Sequence, residues 1–275
     1  MKLVMMGDFH YSHLGNAAEE VLEAQERAYA AMLQTFVEME ADFHISLGDL
    51  THDGLPGELD YVFQRLKGSG RRFVHVLGNH DAHSMTKDEI MSLTAQQRYH
   101  AIHNEEATLI FLDTTKEMNP SDWGGELDAE QLAWLQTELA QAGTKPVMIF
   151  AHHPVYGTTA RSTLDKLSIN PELDMKAVLH TAAGSGFYFC GHNHENSIVK
   201  QENWHYIQTA ACLDVPAFRI VDIRDGQVTI DLVSIDEPML ADNMALVKSS
   251  MSGFHPLEGA RGSEADWSLV VDVKG

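Results

Sequence analysis

Short apolar runs alternate with longer amphipathic stretches over the first two thirds of the chain. Runs of four to six apolar residues bounded by turn residues predict buried strands, whereas stretches with apolar residues at helical spacing predict crossover helices. Leu3–Met6, Phe43–Leu47, Arg72–Leu77, Thr108–Asp113, Pro146–Phe150 and Ser185–Cys190 read as strands. Asn16–Glu40 carries Val21, Leu22, Ala28, Met32, Leu33, Phe36 and Val37 on one helical stripe, with Asn16 as the N-cap. Glu58–Lys67, Thr86–His100, Asp128–Ala140 and a segment opened by Asn170-Pro171 and running to Thr181 read as further helices. After residue 194 the period changes. Ser197–Lys200, His205–Thr209, Phe218–Ile223 and Gln227–Ile235 read as antiparallel strands, with Arg224-Asp225-Gly226 as a hairpin turn. Alternating strands and helices followed by a meander predict an α/β core carrying a second sheet. Residues 1–235 read as one domain. Residues 236–275 read as an extension with one strand candidate, Trp267–Val273, and serve as a lid, an oligomer contact or an edge strand.

Composition narrows the function classes. A chain of 275 residues with 44% hydrophobic content is long enough for one large core. Its 19 Lys and Arg against 40 Asp and Glu give a formal charge of -21, which repels polyanions and disfavours nucleic-acid polymers and acidic membranes as partners. The two cysteines, Cys190 and Cys212, lie in apolar surroundings without metal-like spacing, so no disulfide framework is expected. The first apolar run is too short for a signal peptide and no run reaches membrane length, which makes the cytoplasm the expected location.

The chemistry sits where the predicted strands end. Asp8 and His10 follow the first strand, Asp49 the second, Asn79 and His80 the third, His152 a later one, and His192 and His194 the run ending at Cys190. In an extended segment residues two apart point the same way, so Asp8 and His10 share a side. Four imidazoles, two carboxylates and an amide oxygen exceed the needs of one metal and suit two metals bridged by a carboxylate. Mixed nitrogen and oxygen donors favour manganese, iron, zinc or cobalt over magnesium or calcium. Two such ions can generate a hydroxide and clamp both the attacking and the leaving oxygen of a phosphate ester.

Taken together and in this order, Asp8-Phe9-His10, Gly48-Asp49, Gly78-Asn79-His80-Asp81, His152-His153-Pro154 and Gly191-His192-Asn193-His194 resemble the signature of the calcineurin-like metallophosphoesterases. The resemblance implies an α/β (α+β) fold: a four-layer αββα sandwich of two mixed β-sheets flanked by helices, with a dinuclear metal site at the strand ends. It implies one metal held by Asp8, His10, Asp49 and His194, and a second held by Asn79, His152, His192 and the bridging Asp49. It also implies that His80 protonates the leaving oxygen and that Asp81 orients His80. Leu164-Asp165 followed by Asn170 resembles the branch of bacterial cyclic-nucleotide and glycerophosphodiester phosphodiesterases, although Gly7 stands where that branch often has Ser.

The expected function is hydrolysis of small-molecule phosphodiesters by a metal-bridged hydroxide. Alternatives on the same site are a phosphomonoesterase, a nucleotide pyrophosphatase or a nuclease, the last disfavoured by the charge; an alternative of another class is a non-catalytic metal- or nucleotide-binding module. Arg161, a cation in the loop after His153, is a candidate substrate contact, as is His153 itself. His13, His52, His83 and His153 stand beside motifs and either orient a ligand or touch substrate. His44 and His75 lie inside strands and read as packed side chains, and Asp53 and Asp113 as structural. A homo-oligomer stays open. Residues 240–262 are expected to fold over the cleft of their own or a neighbouring subunit.

Overall fold

The computed structural model describes residues 1–273. Its elements in chain order are β1 (Lys2–Met6), α1 (Glu19–Glu38), β2 (Phe43–Ser46), α2 (Pro56–Lys67), β3 (Phe73–His75), α3 (Lys87–Thr94), β4 (His100–His103), β5 (Thr108–Phe111), α4 (Ala129–Ala142), β6 (Val147–Phe150), α5 (Met175–Leu179), β7 (Gly186–Cys190), β8 (Ser197–Gln201), β9 (Trp204–Gln208), β10 (Ala217–Arg224), β11 (Gln227–Ser234), α6 (Leu240–Ser250) and β12 (Ser268–Asp272). They form two six-stranded sheets, ordered β12-β11-β10-β1-β2-β3 and β4-β5-β6-β7-β9-β8. Both are mixed: β1, β2 and β3 run parallel, as do β5, β6, β7 and β9, and antiparallel strands fill the remaining positions.

Three apolar clusters define the layers. Leu3 and Met5 of β1 point inward with Phe43, Ile45 and Val221, and meet Phe111, Met148, Phe150, Phe187 and Phe189 from the other sheet. Val4 and Met6 point outward onto Met32 and Phe36 of α1, with α2 and α6 on the same layer through Leu59, Val62, Met244 and Val247. On the far side Ile149, Tyr188 and Tyr206 meet Leu135 and Leu139 of α4 and Leu179 of α5. Central strands buried on both faces read as unbroken apolar runs, which is why they stand out in the sequence. The result is a four-layer αββα sandwich.

Several boundaries differ from the sequence expectation for identifiable reasons. Helix α1 starts at Glu19, because Asn16 lies in a turn closed by the Ala17 N–H on the Leu14 carbonyl. Helix α3 has a capping box between Thr86 and Glu89 but stops at Thr94, where Ala95 turns left-handed at φ 55°. The chain then runs back along β3, and the Gln96 side chain accepts the His75 N–H, so the residues up to His100 are not helical and His100–His103 pairs with β5 as a strand. Asn170-Pro171 makes a turn, and α5 begins only at Met175, capped by Asp174. The later strands do not form one meander. The β8–β9 hairpin completes the second sheet and lies parallel to β7 through β9, whereas β10 and β11 return to the first sheet beside β1. Their Asp225-Gly226 turn has both residues at positive φ, as a tight two-residue hairpin requires.

The C-terminal stretch supplies α6, which lies against α1, and β12, which extends the first sheet beyond β11. No described helix is long and apolar enough to cross a membrane.

Gly186 marks how tightly the second sheet closes. It pairs with Trp204, whose buried ring is fixed by an Nε1–H bond to the Leu179 carbonyl at 3.0 Å. A Cβ at position 186 would come within 2.2 Å of that ring. Gly186→Ala is therefore expected to cost about 1–3 kcal/mol through overpacking, read as a lower urea midpoint at unchanged slope.

Candidate metal centre

Loops from the C-terminal ends of β1, β2 and β3 meet loops from β6 and β7 at one edge of the sandwich. Two main-chain links set the approach of the first pair: the His10 N–H donates to the Asp49 carbonyl at 2.9 Å, and the Tyr11 N–H to the Leu50 carbonyl at 3.0 Å. Gly78 permits the third. A Cβ there would lie 2.1 Å from the Asp49 nitrogen and 2.2 Å from its Oδ1. Across the sandwich, the His192 N–H donates to the Asp8 carboxylate at 2.9 Å. Asp8, His10, Asp49, His192 and His194 all take positive φ, between 37° and 68°. A non-glycine residue in this region costs on the order of 1–3 kcal/mol, and such strain gathers where side chains must be aimed at a common point.

Two groups of donor atoms result, with Asp49 between them. Asp8, His10, Asp49 and His194 have their donor atoms within 4.8 Å of one another. His10 Nε2 lies 3.1 Å from His194 Nε2 and 3.7 Å from Asp49 Oδ2, and His194 Nε2 lies 3.6 Å from Asp8 Oδ1. In the second group His152 Nε2 lies 3.0 Å from Asn79 Oδ1, 3.1 Å from His192 Nδ1 and 3.3 Å from Asp49 Oδ2.

Carbonyl partners decide which ring nitrogens carry hydrogen. His152 Nδ1 faces the Leu47 carbonyl at 2.9 Å and His192 Nε2 faces the Lys166 carbonyl at 2.9 Å. A carbonyl only accepts, so those nitrogens donate, and in the neutral rings the opposite nitrogens turn lone pairs toward the carboxylate and the amide oxygen. When His152 is neutral, His152 Nε2, His192 Nδ1, Asn79 Oδ1 and Asp49 Oδ2 are all acceptors facing one another. Such a set suits a cation, and the carbonyl bonds to the far ring nitrogens are the orienting contacts expected of metal-binding histidines. Both groups could bind metal.

The electrostatics agree. Burial pushes the His192 and His194 imidazoles down to about 3 and holds His10 well below its ordinary range, so all three are neutral. Burial pushes the Asp8 carboxyl well up, whereas Asp49, against its own burial, is held low by His152 and His80. Burial would lower His152 as well, but the Asp49 and Asp8 carboxylates outweigh it and raise the imidazole to about 9. The protein's own carboxylates thus draw a positive charge to the position where a metal would sit.

The remaining candidates are sorted by the geometry. His80 lines an open cleft of about 380 Å³, together with Asn79, His83, Arg161, Trp123 and both histidines of the Gly191 loop. Its Nδ1 donates to the His52 carbonyl at 2.6 Å, which leaves Nε2 to exchange a proton with a ligand. The expected orienting role of Asp81 is not what its contacts provide. Its Oδ1 accepts the Thr51 N–H and hydroxyl at 2.9 and 2.8 Å, its Oδ2 accepts the Gly78 N–H at 2.9 Å, and His75 stands 3.4 Å away. Asp81 ties two loops together; the His52 carbonyl orients His80. His153 does not reach the cleft either. It is fully buried between the Thr114 hydroxyl at 2.8 Å and the Trp123 carbonyl at 2.9 Å, and its ring lies 4.3 Å from that of His192. His13 is exposed, whereas His52 is buried against His10. Arg161 is exposed on the cleft wall, its guanidinium donating to the Asn193 carbonyl at 3.1 Å.

Residues that motif reasoning did not reach also line the site. Trp123 forms one wall at 40% exposure, and Gly253, Phe254 and His255 form another. Asp214, which ion-pairs with Lys248 at 3.3 Å, comes within 4.0 Å of His194 Nδ1. The helical spacing of Leu240, Met244 and Val247 is the one sequence signal that would have tied the C-terminal stretch to the core near β1.

Comparisons with known proteins extend this description. A family model described as calcineurin-like phosphoesterase matches residues 1–196. The chain is 29% identical over 205 residues to a Rhodopseudomonas palustris protein named a probable cyclic nucleotide phosphodiesterase, covering 70% of this chain and 72% of that one. It is 27% identical over 154 residues to a glycerophosphodiester phosphodiesterase of Enterobacter lignolyticus, covering 54% of each chain and thus about half of that relative. A dimetal phosphatase structure from Danio rerio superposes with a TM-score of 0.68 at 15% identity, over 86% of this chain and 96% of that one, and so shares the fold.

The contacts of Asp81 make its role measurable. Asp81→Ala leaves the buried Thr51 and Gly78 N–H groups without an acceptor, and a loss of about 3 kcal/mol in urea unfolding is expected. Unchanged stability with a selective loss of turnover would instead make it an orienting partner of His80.

Proposed function

Because the chain belongs to the calcineurin-like phosphoesterase family and is a hydrolase, we propose that it cleaves small-molecule phosphodiesters, of cyclic-nucleotide or glycerophosphodiester type, with two divalent ions in the cleft. Asp8, His10, Asp49 and His194 hold one ion; Asn79, His152, His192 and the shared Asp49 hold the other. Manganese, iron, zinc or cobalt suit this mixture of imidazole, carboxylate and amide donors. The observation that carries the reading is the convergence of acceptor atoms from two sheets on the two sides of one carboxylate. When bound, the ions supply Lewis-acid charge at the phosphoryl oxygens and an activated water as nucleophile.

The protein's own groups do the rest. His80, held through Nδ1 by the His52 carbonyl, presents Nε2 as the general acid that protonates the leaving oxygen. Arg161 binds a non-bridging phosphoryl oxygen from the cleft wall. Trp123 and Phe254 narrow the cleft beside the reacting phosphate and limit the water around it. Two features support a diester over a monoester. Relatives carry phosphodiesterase names, and Arg161 is the one Lys or Arg lining the cleft among the described residues. One added cation matches the single charge of a diester better than the double charge of a monoester.

The deciding experiment is hydrolysis of bis(p-nitrophenyl) phosphate beside p-nitrophenyl phosphate, using metal-stripped protein reloaded in turn with manganese, iron, zinc and magnesium. Preference for the diester with a transition metal is expected. Preference for the monoester would make the protein a phosphatase, and silence with every metal would leave a binding module. His80→Ala is expected to retain both ions by metal analysis while turnover of substrates with poor leaving groups falls by about 10²–10⁴. Asp49→Ala is expected to lose metal from both positions.

A further inference from the structure

The chain returns to the site after α6, and it does so on one side only. The Ser252 carbonyl faces His52 Nε2 at 2.8 Å, so that nitrogen must donate. His52 Nδ1 is then a lone pair, and it lies 3.3 Å from His10 Nδ1. His10 Nδ1 accordingly carries the hydrogen, and His10 Nε2 is left as the lone pair facing Asp49 and His194. One main-chain oxygen thereby fixes, through two imidazoles, which nitrogen of His10 is free to bind a cation. Two residues further on, the Phe254 ring, 6% exposed, lies 5.4 Å from the His10 ring and 5.4 Å from that of His194, stacked on the latter at 28°.

The segment is firmly seated. The Leu257 N–H donates to Asp214 at 3.1 Å, Lys248 of α6 pairs with the other Asp214 oxygen, and the Ala260 carbonyl accepts the Asn196 N–H at 2.8 Å. The Ser252 carbonyl and the Phe254 ring meet His52, His10 and His194, members and neighbours of the Asp8 group. We propose that Ser252–Phe254 is a positioning element for one of the two metal positions, the one at Asp8, His10, Asp49 and His194. Its carbonyl selects the His10 tautomer through His52, and its phenyl ring holds His10 and His194 in place and keeps water from their edges. This rests on the dinuclear reading above and adds that the two positions are unequal, one being completed by a segment that follows the last of its motifs in the chain.

The test is a titration of metal-free, full-length protein with Mn²⁺, followed by calorimetry and by the electron paramagnetic resonance signal of free Mn²⁺. His192→Ala, which deletes a nitrogen of the other group, identifies which of the two equilibria belongs to which position. His52→Leu is expected to weaken the Asp8/His10 equilibrium by about 10–100-fold and to leave the other unchanged. His52→Asn, whose amide oxygen can accept the His10 Nδ1–H, is expected to recover most of that loss. Phe254→Ala is expected to weaken the same equilibrium several-fold. Unchanged affinity in both His52→Leu and Phe254→Ala would overturn the proposal, as would equal weakening of both equilibria. A wild-type chain that takes up neither Mn²⁺ nor Zn²⁺ would overturn the dinuclear reading itself, a result distinct from two intact equilibria in the variants.

Discussion

A single buried carboxylate sits between the two halves of this protein at the edge where its candidate site is assembled. Asp49 is 1% exposed, and its Oδ1 accepts the His80 N–H at 2.8 Å. Its Oδ2 stands 3.3 Å from His152, carried by the opposite sheet, and 3.7 Å from His10. Burying such a charge costs several kcal/mol unless it is paired. The neighbouring loops are arranged around meeting that cost: position 78 has no side chain so that the carboxylate fits, and His152 is pulled up to about 9 to serve as a counter-charge. Packing between the two sheets and pairing across them are therefore one problem. Shift the facing phenylalanines of the sandwich, and Asp49 loses its partner.

The same rigidity explains how the left-handed residues are tolerated. Five residues of the two donor groups sit at positive φ, each at a cost that a mobile loop would relieve by rotating. They are held because each follows a buried strand and because their own N–H groups are bonded, that of His10 to the Asp49 carbonyl and that of His192 to the Asp8 carboxylate. Asp and His accept this region more readily than branched residues do, so the residue types suited to the chemistry also suit the backbone.

What could be read from the sequence follows from this construction. Strands buried on both faces announce themselves as apolar runs, and side chains at their ends belong to a common edge, so β1, β2, β3, β6 and β7 and the residues they deliver were legible. Neighbours of those residues were not. Asp81 adjoins His80 and His153 adjoins His152, but these residues lie in turns and bends where adjacent side chains diverge, and those of Asp81 and His153 turn into the protein. A helix end has no local signal where a distant group terminates it: Gln96 bonds to β3 instead of extending α3. The contribution of Ser252 has no sequence signature, because it is made by a carbonyl oxygen that every residue possesses. Its partner His52 was visible only as one of four histidines beside a motif, and sequence could not separate it from exposed His13.

The charges of the cleft bear on how a phosphate can enter it. A phosphodiester offers only acceptor oxygens. The two donor groups, with neutral His10, His192 and His194, ionised Asp49 and the amide oxygen of Asn79, also turn acceptors toward the cleft. Arg161 is a single cation at the wall, and the formal charge of the chain, -21, adds repulsion that salt screens over about 8 Å. Acceptors do not bind acceptors, and the one positive imidazole, His152, is already held by Asp49, so the protein alone is a poor phosphate site, and its net charge does not attract one. On the dinuclear reading, cations must therefore occupy the two groups before an anionic ester can be held. Substrate recognition is then confined to the few ångströms around those groups, with the outer cleft formed by Trp123, Phe254, His255 and Arg161 left to distinguish one ester from another.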